Sequence, residues 1–131
     1  MIKTQLTLYM ENRYGQLAQA TRLLEKANVN LEAISVAEAS AASLVQIIVD
    51  SPRRAREVLK DSGIPVAEEK VNVVLLDNKP GALAHVANRL ARKKVNINYL
   101  YATTTPGKGA EQTAVVISAD DPQAIEDFFA D

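Results

Sequence analysis

Two short segments, 66 residues apart, hold the residues best suited to grip a small ligand: Asn12-Arg13-Tyr14-Gly15-Gln16-Leu17-Ala18 and Asn78-Lys79-Pro80-Gly81-Ala82-Leu83-Ala84. Gly15 and Gly81 let the backbone turn sharply and come close to a bound molecule. If a helix begins just after each glycine, its first amides lack intrahelical partners and form a natural seat for a carboxylate. Asn12 and Asn30 can each offer an amide oxygen to an ammonium group and an amide nitrogen to a carboxylate. Together these groups suit the two charged ends of an amino acid. A plainer reading of the same residues is that Asn12 forms the turn and caps the helix. The residues alone leave both readings open.

Other chemistries find little to work with. The 131 residues include no cysteine and one histidine, His85, so thiolate catalysis, disulfides and the usual metal sites are excluded. No catalytic residues, metal or cofactor are expected, because the sequence shows neither a nucleophile–base pair nor a cluster of ligands. His85 reads as a surface or rim histidine. Gly107-Lys108-Gly109 lacks the spacing of a phosphate loop and reads as a hairpin turn. Glu68-Glu69 and Asp120-Asp121 read as solvated acids. Arg53, Arg54 and Arg56 crowd the first turn of an expected helix, where positive charge opposes the helix dipole. A solvated face is expected there, with a contact to a partner or an anion as the alternative.

The net charge of −1 gives no global field to attract nucleic acid or anionic lipid. No apolar run approaches the roughly 18 residues of a membrane span, and Met1-Ile2-Lys3-Thr4-Gln5-Leu6 does not resemble a signal peptide. A cytoplasmic protein is expected.

The two segments belong to a longer internal repeat. At the 66-residue offset, residues 12–31 match 78–97 at seven of 20 positions: Asn12, Gly15, Leu17, Ala18, Leu24, Val29 and Asn30. Chance would give roughly one or two for average composition. Asp50-Ser51-Pro52 matches Asp120-Asp121-Pro122 at an offset of 70, so the second copy has four extra residues, assigned to the turn around Thr105–Gly109.

Each copy reads as strand, helix, strand, strand, helix. Ile2, Leu6, Leu8 and Met10 share one strand face, with Lys3, Gln5 and Thr7 on the other. Leu17, Ala20, Leu24 and Ala27 recur at helical spacing, and Asn28 is a stop. Val29 to Ala37 and Leu44 to Val49 are strand-like. Ser51 and Pro52 open a second helix, closed by Gly63, with Ala55, Val58 and Leu59 inward. Ile125, Phe128 and Phe129 hold the same positions in the second copy. The fold class is therefore α+β: two ferredoxin-like βαββα(β) units in tandem, with antiparallel sheets and helices on one face. Unit 1 is placed at 1–66 and unit 2, lacking a final strand, at 67–131. One extended stretch, about Pro65 to Leu76, is expected to run from one to the other. Strand Val71–Leu76 is apolar on both faces, which calls for cover by the sister copy or a second chain, so a homodimer is expected.

A strand, then Asn-x-x-Gly-x-Leu-Ala, a helix, Val-Asn-Ile and a hairpin closely resembles the ACT domain family. Its members usually read Asn-Arg-Pro-Gly at the turn. Asn78-Lys79-Pro80-Gly81 nearly repeats that, while the first copy departs with Tyr14 in place of the proline. The resemblance covers the whole chain twice apart from the last strand, and is strongest to small stand-alone tandem members with no attached enzyme. It implies amino-acid binding at interfaces between paired units. Carried over residue by residue, it places one ligand loop at Asn12, Gly15, Gln16 and Leu17, with Asn30 on the next strand. The other comprises Asn78, Gly81, Ala82 and Leu83, with Asn96.

The expected function is thus a non-catalytic regulatory module binding a small amino acid, alone or as the partner of a metabolic enzyme. The alternative is a structural or interaction subunit of such an enzyme with a vestigial ligand site. An RNA-binding sheet would need stacking aromatics in a basic setting, and only Tyr99 and Tyr101 lie near a suitable strand.

Overall fold

The computed structural model describes residues 1–39, 42–103 and 111–130, which form six strands and four helices. In chain order these are β1 (Ile2–Glu11), α1 (Gln16–Lys26), β2 (Leu31–Ala39), β3 (Ala42–Val49), α2 (Pro52–Asp61), β4 (Val66–Asp77), α3 (Ala82–Arg92), β5 (Ile97–Thr103), β6 (Gln112–Ala119) and α4 (Pro122–Ala130). The repeat is visible in these bounds. Helices α1 and α3 begin and end at an offset of 66, and β3 and β6, like α2 and α4, begin at an offset of 70. The expected hairpin turn at Gly107-Lys108-Gly109 lies outside the described residues.

The chain divides into two compact units. In the first, Thr4–Glu69, β3 lies between β1 and β2 and pairs antiparallel with both. Its register sets Leu6 opposite Ile47 and Leu8 opposite Val45. Those four side chains, with Met10, Ala20, Leu24, Ala55 and Leu59, make one buried core between sheet and helices. The alternation of apolar residues along β1 and β3 and their three-to-four spacing along α1 and α2 are what allow one face of each element to enter it. Pro65, directly before β4, accepts a hydrogen bond from the Tyr9 amide at 3.1 Å, so the start of β4 lies beside β1.

The second unit comprises Lys70–Asp131 together with Met1–Lys3. Here β6 lies between β4 and β5, again antiparallel to both. The core gathers Val74, Val115 and Ile117 from the sheet with Val86, Leu90, Ile125 and Phe128 from the helices. Phe128 stacks edge-on with Phe129 at 4.9 Å, and the Arg89 guanidinium lies 4.6 Å from its ring centre. The N-terminal residues stand beside β4 in this unit. Met1 and Val73 exchange backbone hydrogen bonds, at 3.1 Å from the Met1 ammonium to Val73 O and 2.8 Å from the Val73 amide to Met1 O.

A buried polar group stands next to this pairing. Asn72 occupies the place that Leu6 has in the first copy. It is fully buried, and its Nδ2 donates to Pro122 O at 3.0 Å and to Glu126 Oε1 at 3.3 Å. Glu126 also binds the Met1 ammonium. The hydrogen bond from that ammonium, with help from Asn72 and against the effect of burial, holds the Glu126 carboxyl below its ordinary range.

Some side chains depart from what patterning predicts. Gln5 and Ser118, both on the sheet face away from the helices, are fully buried, as are Val71 and Val116 on that face. Leu75 is the exception on that strand, at 62% exposed. Leu17, expected in the α1 core, is 40% exposed. The arginines at the start of α2 have intrachain contacts. Arg54 Nη1 donates to Ala27 O at 3.2 Å, Arg53 lies 3.5 Å from Glu57, and Arg56 lies 3.1 Å from Glu68. Among the described residues no helix is long and apolar enough to cross a membrane.

Candidate functional site

The two glycine loops have the same construction. Gly15 precedes α1 with φ 80° and ψ −5°, and Gly81 precedes α3 with φ 88° and ψ −10°. Both lie in the left-handed region, where a side chain is disfavoured and glycine is not. The turns before them match as well: Arg13 N–H donates to Glu11 O at 2.9 Å, and Lys79 N–H donates to Asp77 O at 3.0 Å. The first full helical bonds are Gln19 N–H to Gly15 O and His85 N–H to Gly81 O, each 2.9 Å. The amides of Leu17 and Ala18, and of Leu83 and Ala84, therefore precede the first i→i−4 bond of their helices. The N-cap residue of each helix is the glycine itself, which has no side chain to bond the first amides.

Each loop borders a groove. The first encloses about 810 Å3 and is lined by Asn12, Arg13, Tyr14 and Gln16. The second encloses about 450 Å3. Its walls are Leu75, Leu76, Pro80, Ala82 and Val86, joined by Asp77, Lys79, Gly81 and His85. Both grooves are open to solvent; the first is lined by polar and exposed side chains, and the second has apolar walls with a few polar groups. Both loop cations are matched by an acid two residues earlier. Arg13 Nε lies 2.6 Å from Glu11 Oε2, and Lys79 Nζ lies 3.7 Å from Asp77 Oδ2. Both pairs are largely exposed to solvent.

The expected ligand residues divide among several places. Asn12 and Gln16 line the first groove, next to Gly15, while Gly81 and Ala82 line the second. Leu17 and Leu83 are solvent-exposed on the first turns of α1 and α3, at 40% and 44%. The Asn78 amide donates to Glu111 O at 2.8 Å. Asn30 lines a different groove of about 430 Å3, along with Asn28, Thr21 and Asp50. Its amide donates to Asp50 Oδ1 at 3.0 Å, and the Asp50 amide returns a bond to Asn30 O at 3.1 Å. Asn96 Nδ2 donates to Asn98 Oδ1 at 3.3 Å, and Asn98 Nδ2 donates to Asp120 Oδ1 at 2.9 Å. In both copies the acid that ends the hairpin is bonded from the start of the strand after the helix, by the Asn30 backbone in the first and by the Asn98 side chain in the second.

Sequence reasoning set aside one residue that lines the second groove, His85, and did not weigh another, Leu75. His85 follows Gly81 by four positions, one helical turn, and that spacing was the signal for it. Leu75 shares a strand face with Asp77, near the end of β4, and its side chain is exposed. Among the described residues no group of acids and histidine could hold a metal ion.

Comparison with known proteins settles the family. The family model described as an ACT domain pair matches residues 1–127. The chain belongs to the ACT domain pair family. An ACT domain pair is a regulatory module rather than a catalytic domain. The ACT pair is similar in structure to protein BT0572 from Bacteroides thetaiotaomicron, with a TM-score of 0.89 and 31% identity over 97% of this chain and 85% of that one. It also shares its fold with the regulatory subunit of aspartate kinase from Thermus thermophilus, with a TM-score of 0.67 and 16% identity over 95% and 89%. The corresponding subunit from Thermus flavus gives 0.69 and 15% over 95% and 90%. No curated protein sequence matches the chain.

Proposed function

We propose that this ACT domain pair is a non-catalytic regulatory module that binds a small free amino acid at its glycine loops. The observation that carries the reading is the uncapped, glycine-led start of α1 and of α3, each bordering a groove. Backbone amides ahead of the first helical bond, at the positive end of a helix dipole, complement a carboxylate. Asn12 adds an amide oxygen for the ammonium group in the first groove. The loop cations are paired with Glu11 and Asp77, so the backbone is left as the main attraction for the carboxylate.

A thermal-shift screen of the full chain against the common amino acids tests this. A ligand at 100 times its Kd stabilises the folded state by about 2.7 kcal/mol. A clear rise in Tm with one amino acid or a related group supports the reading, and a flat response to all of them at millimolar concentration defeats it.

Partners form part of the same proposal. Ile34 and Val36, on the strand that follows α1, are 43% and 52% exposed, which favours association with a second copy or with a metabolic enzyme. Two proteins of the same fold are named as regulatory subunits of aspartate kinase. A flat amino-acid screen together with a stable complex would favour the alternative, an interaction subunit whose ligand site is vestigial.

A further inference from the structure

We infer that the exposed C-terminal end of α3 is a docking surface for an acidic segment of a partner protein. This surface lies at the other end of α3 from Gly81, so it stands or falls without the proposed amino-acid binding.

Four cations close the helix: Arg89, Arg92, Lys93 and Lys94, all exposed. Arg89 is three residues from Arg92 and four from Lys93, so the three share one side of the helix. The Arg89 guanidinium and the Lys93 ammonium lie 4.6 Å and 5.3 Å from the centre of one buried ring, Phe128. That ring holds the two cations side by side. No ion pair of the described residues includes any of the four.

The first copy shows that the fold does not need this patch. At the 66-residue offset Leu23, Ala27 and Asn28 take the places of Arg89, Lys93 and Lys94, and only Lys26 matches a cation, Arg92. Lys26 is the one basic residue in the last turn of α1, enough to complement the helix dipole there. The ring is new as well, since Phe128 stands where the first copy has Val58. The added charges cost stability, because like charges three and four apart on a helix repel. Lys94 also holds a φ of 60°, which lysine disfavours and the asparagine of the first copy tolerates. Carboxylates arriving with a partner would offset that repulsion.

The size of the patch decides what kind of anion fits. Six residues of helix span roughly 8 Å, room for two or three carboxylates. A nucleic-acid strand is tracked over about four or more nucleotides, with bases stacked on aromatic rings. Phe128 is buried and already covered by cations. The net charge of −1 leaves little beyond the patch to hold a long polyanion. Arginine grips a carboxylate with two parallel bonds, so Arg89 and Arg92 suit the aspartates or glutamates of a protein segment.

Fluorescence anisotropy on the full chain tests this with a labelled peptide of consecutive glutamates, beside labelled oligothymidylate and phosphatidylserine vesicles. The variants are Arg92→Gln/Lys94→Asn and, as a control, Arg22→Gln/Lys26→Gln, which removes the same charge from α1. An unchanged or raised Tm verifies the fold of the α3 variant, and if it melts lower, Arg92→Gln alone carries the comparison. The expected result is saturable peptide binding that the α3 variant weakens about three- to thirtyfold, the scale of two exposed ion pairs. The control should bind like the parent. Equal loss in both double variants would reduce the effect to net charge and overturn the site. So would an absence of saturable peptide binding, or tighter binding of oligothymidylate or the vesicles. None of these outcomes bears on the amino-acid screen.

Discussion

The guanidinium of Arg54 donates to the backbone carbonyl of Ala27 at 3.2 Å, so the first turn of α2 caps the last turn of α1. The cation opposes the dipole of its own helix and favours that of its neighbour. Arg54→Ala should lower stability by about 0.5–1 kcal/mol, since the bond is exposed, and Arg54→Lys should lose less than that. Urea unfolding of both variants measures it. Equal stability of Arg54→Ala and the parent would show that the contact is too solvated to matter.

The left-handed glycine at the start of α3 gives a second expectation. A Cβ at Gly81 would meet nothing within 4 Å, so a substitution is penalised only by its backbone conformation at φ +88°. Gly81→Ala should cost about 1–2 kcal/mol, and Gly81→Val more, because branching adds to the strain. If the proposed amino-acid binding holds, affinity should fall further than stability, as the loop shifts toward an ordinary helix start. Thermal melts with and without ligand separate the two effects.

Lys94 invites the opposite kind of change. It follows α3 with φ 60°, the position where the first copy has Asn28 at φ 58°. Asparagine tolerates that conformation and lysine does not. Lys94→Gly or Lys94→Asn should therefore stabilise the protein by about 0.5–1 kcal/mol. A denaturation midpoint that stays put or falls would mean that the lysine makes a compensating contact.

Acid should act on the pairing of Met1 with Glu126. The hydrogen bond from the Met1 ammonium lowers the folded-state pKa of Glu126 from its ordinary 4.5. A depressed carboxyl adds stability that is fully present above the unfolded pKa and is lost as pH falls through the folded one. That contribution should therefore fade below about pH 4.5. Glu126→Gln should flatten this part of the stability profile and leave Asn72 with a neutral acceptor. A variant whose acid limb overlies that of the parent would show that the pairing does not persist in solution.

How much of this was legible beforehand follows from which interactions are local. The alternation in Leu6, Leu8 and Met10 and the helical spacing of Ala20 and Leu24 put those residues in the core, because each secondary structure has a fixed period of side-chain direction. Gly15, Gly81 and Asn28 announced left-handed positions by residue type alone. The 66-residue repeat carried all of this to the second copy and, through the loop motif, led to the ACT family. Long-range placement stayed out of reach. Whether Leu75 or Val71 faces water depends on what covers that side of the sheet, and the same alternating pattern is compatible with both. Leu17 fits the helical stripe by spacing, yet it stands on the first turn of α1 and is 40% exposed. The tie of the Asn30 amide to Asp50, 20 residues away, is likewise a pairing that no local pattern announces. The closing strand of the second unit comes from Met1–Lys3 across some 70 residues of chain, a pairing set by the three-dimensional path of β4 rather than by any residue near it.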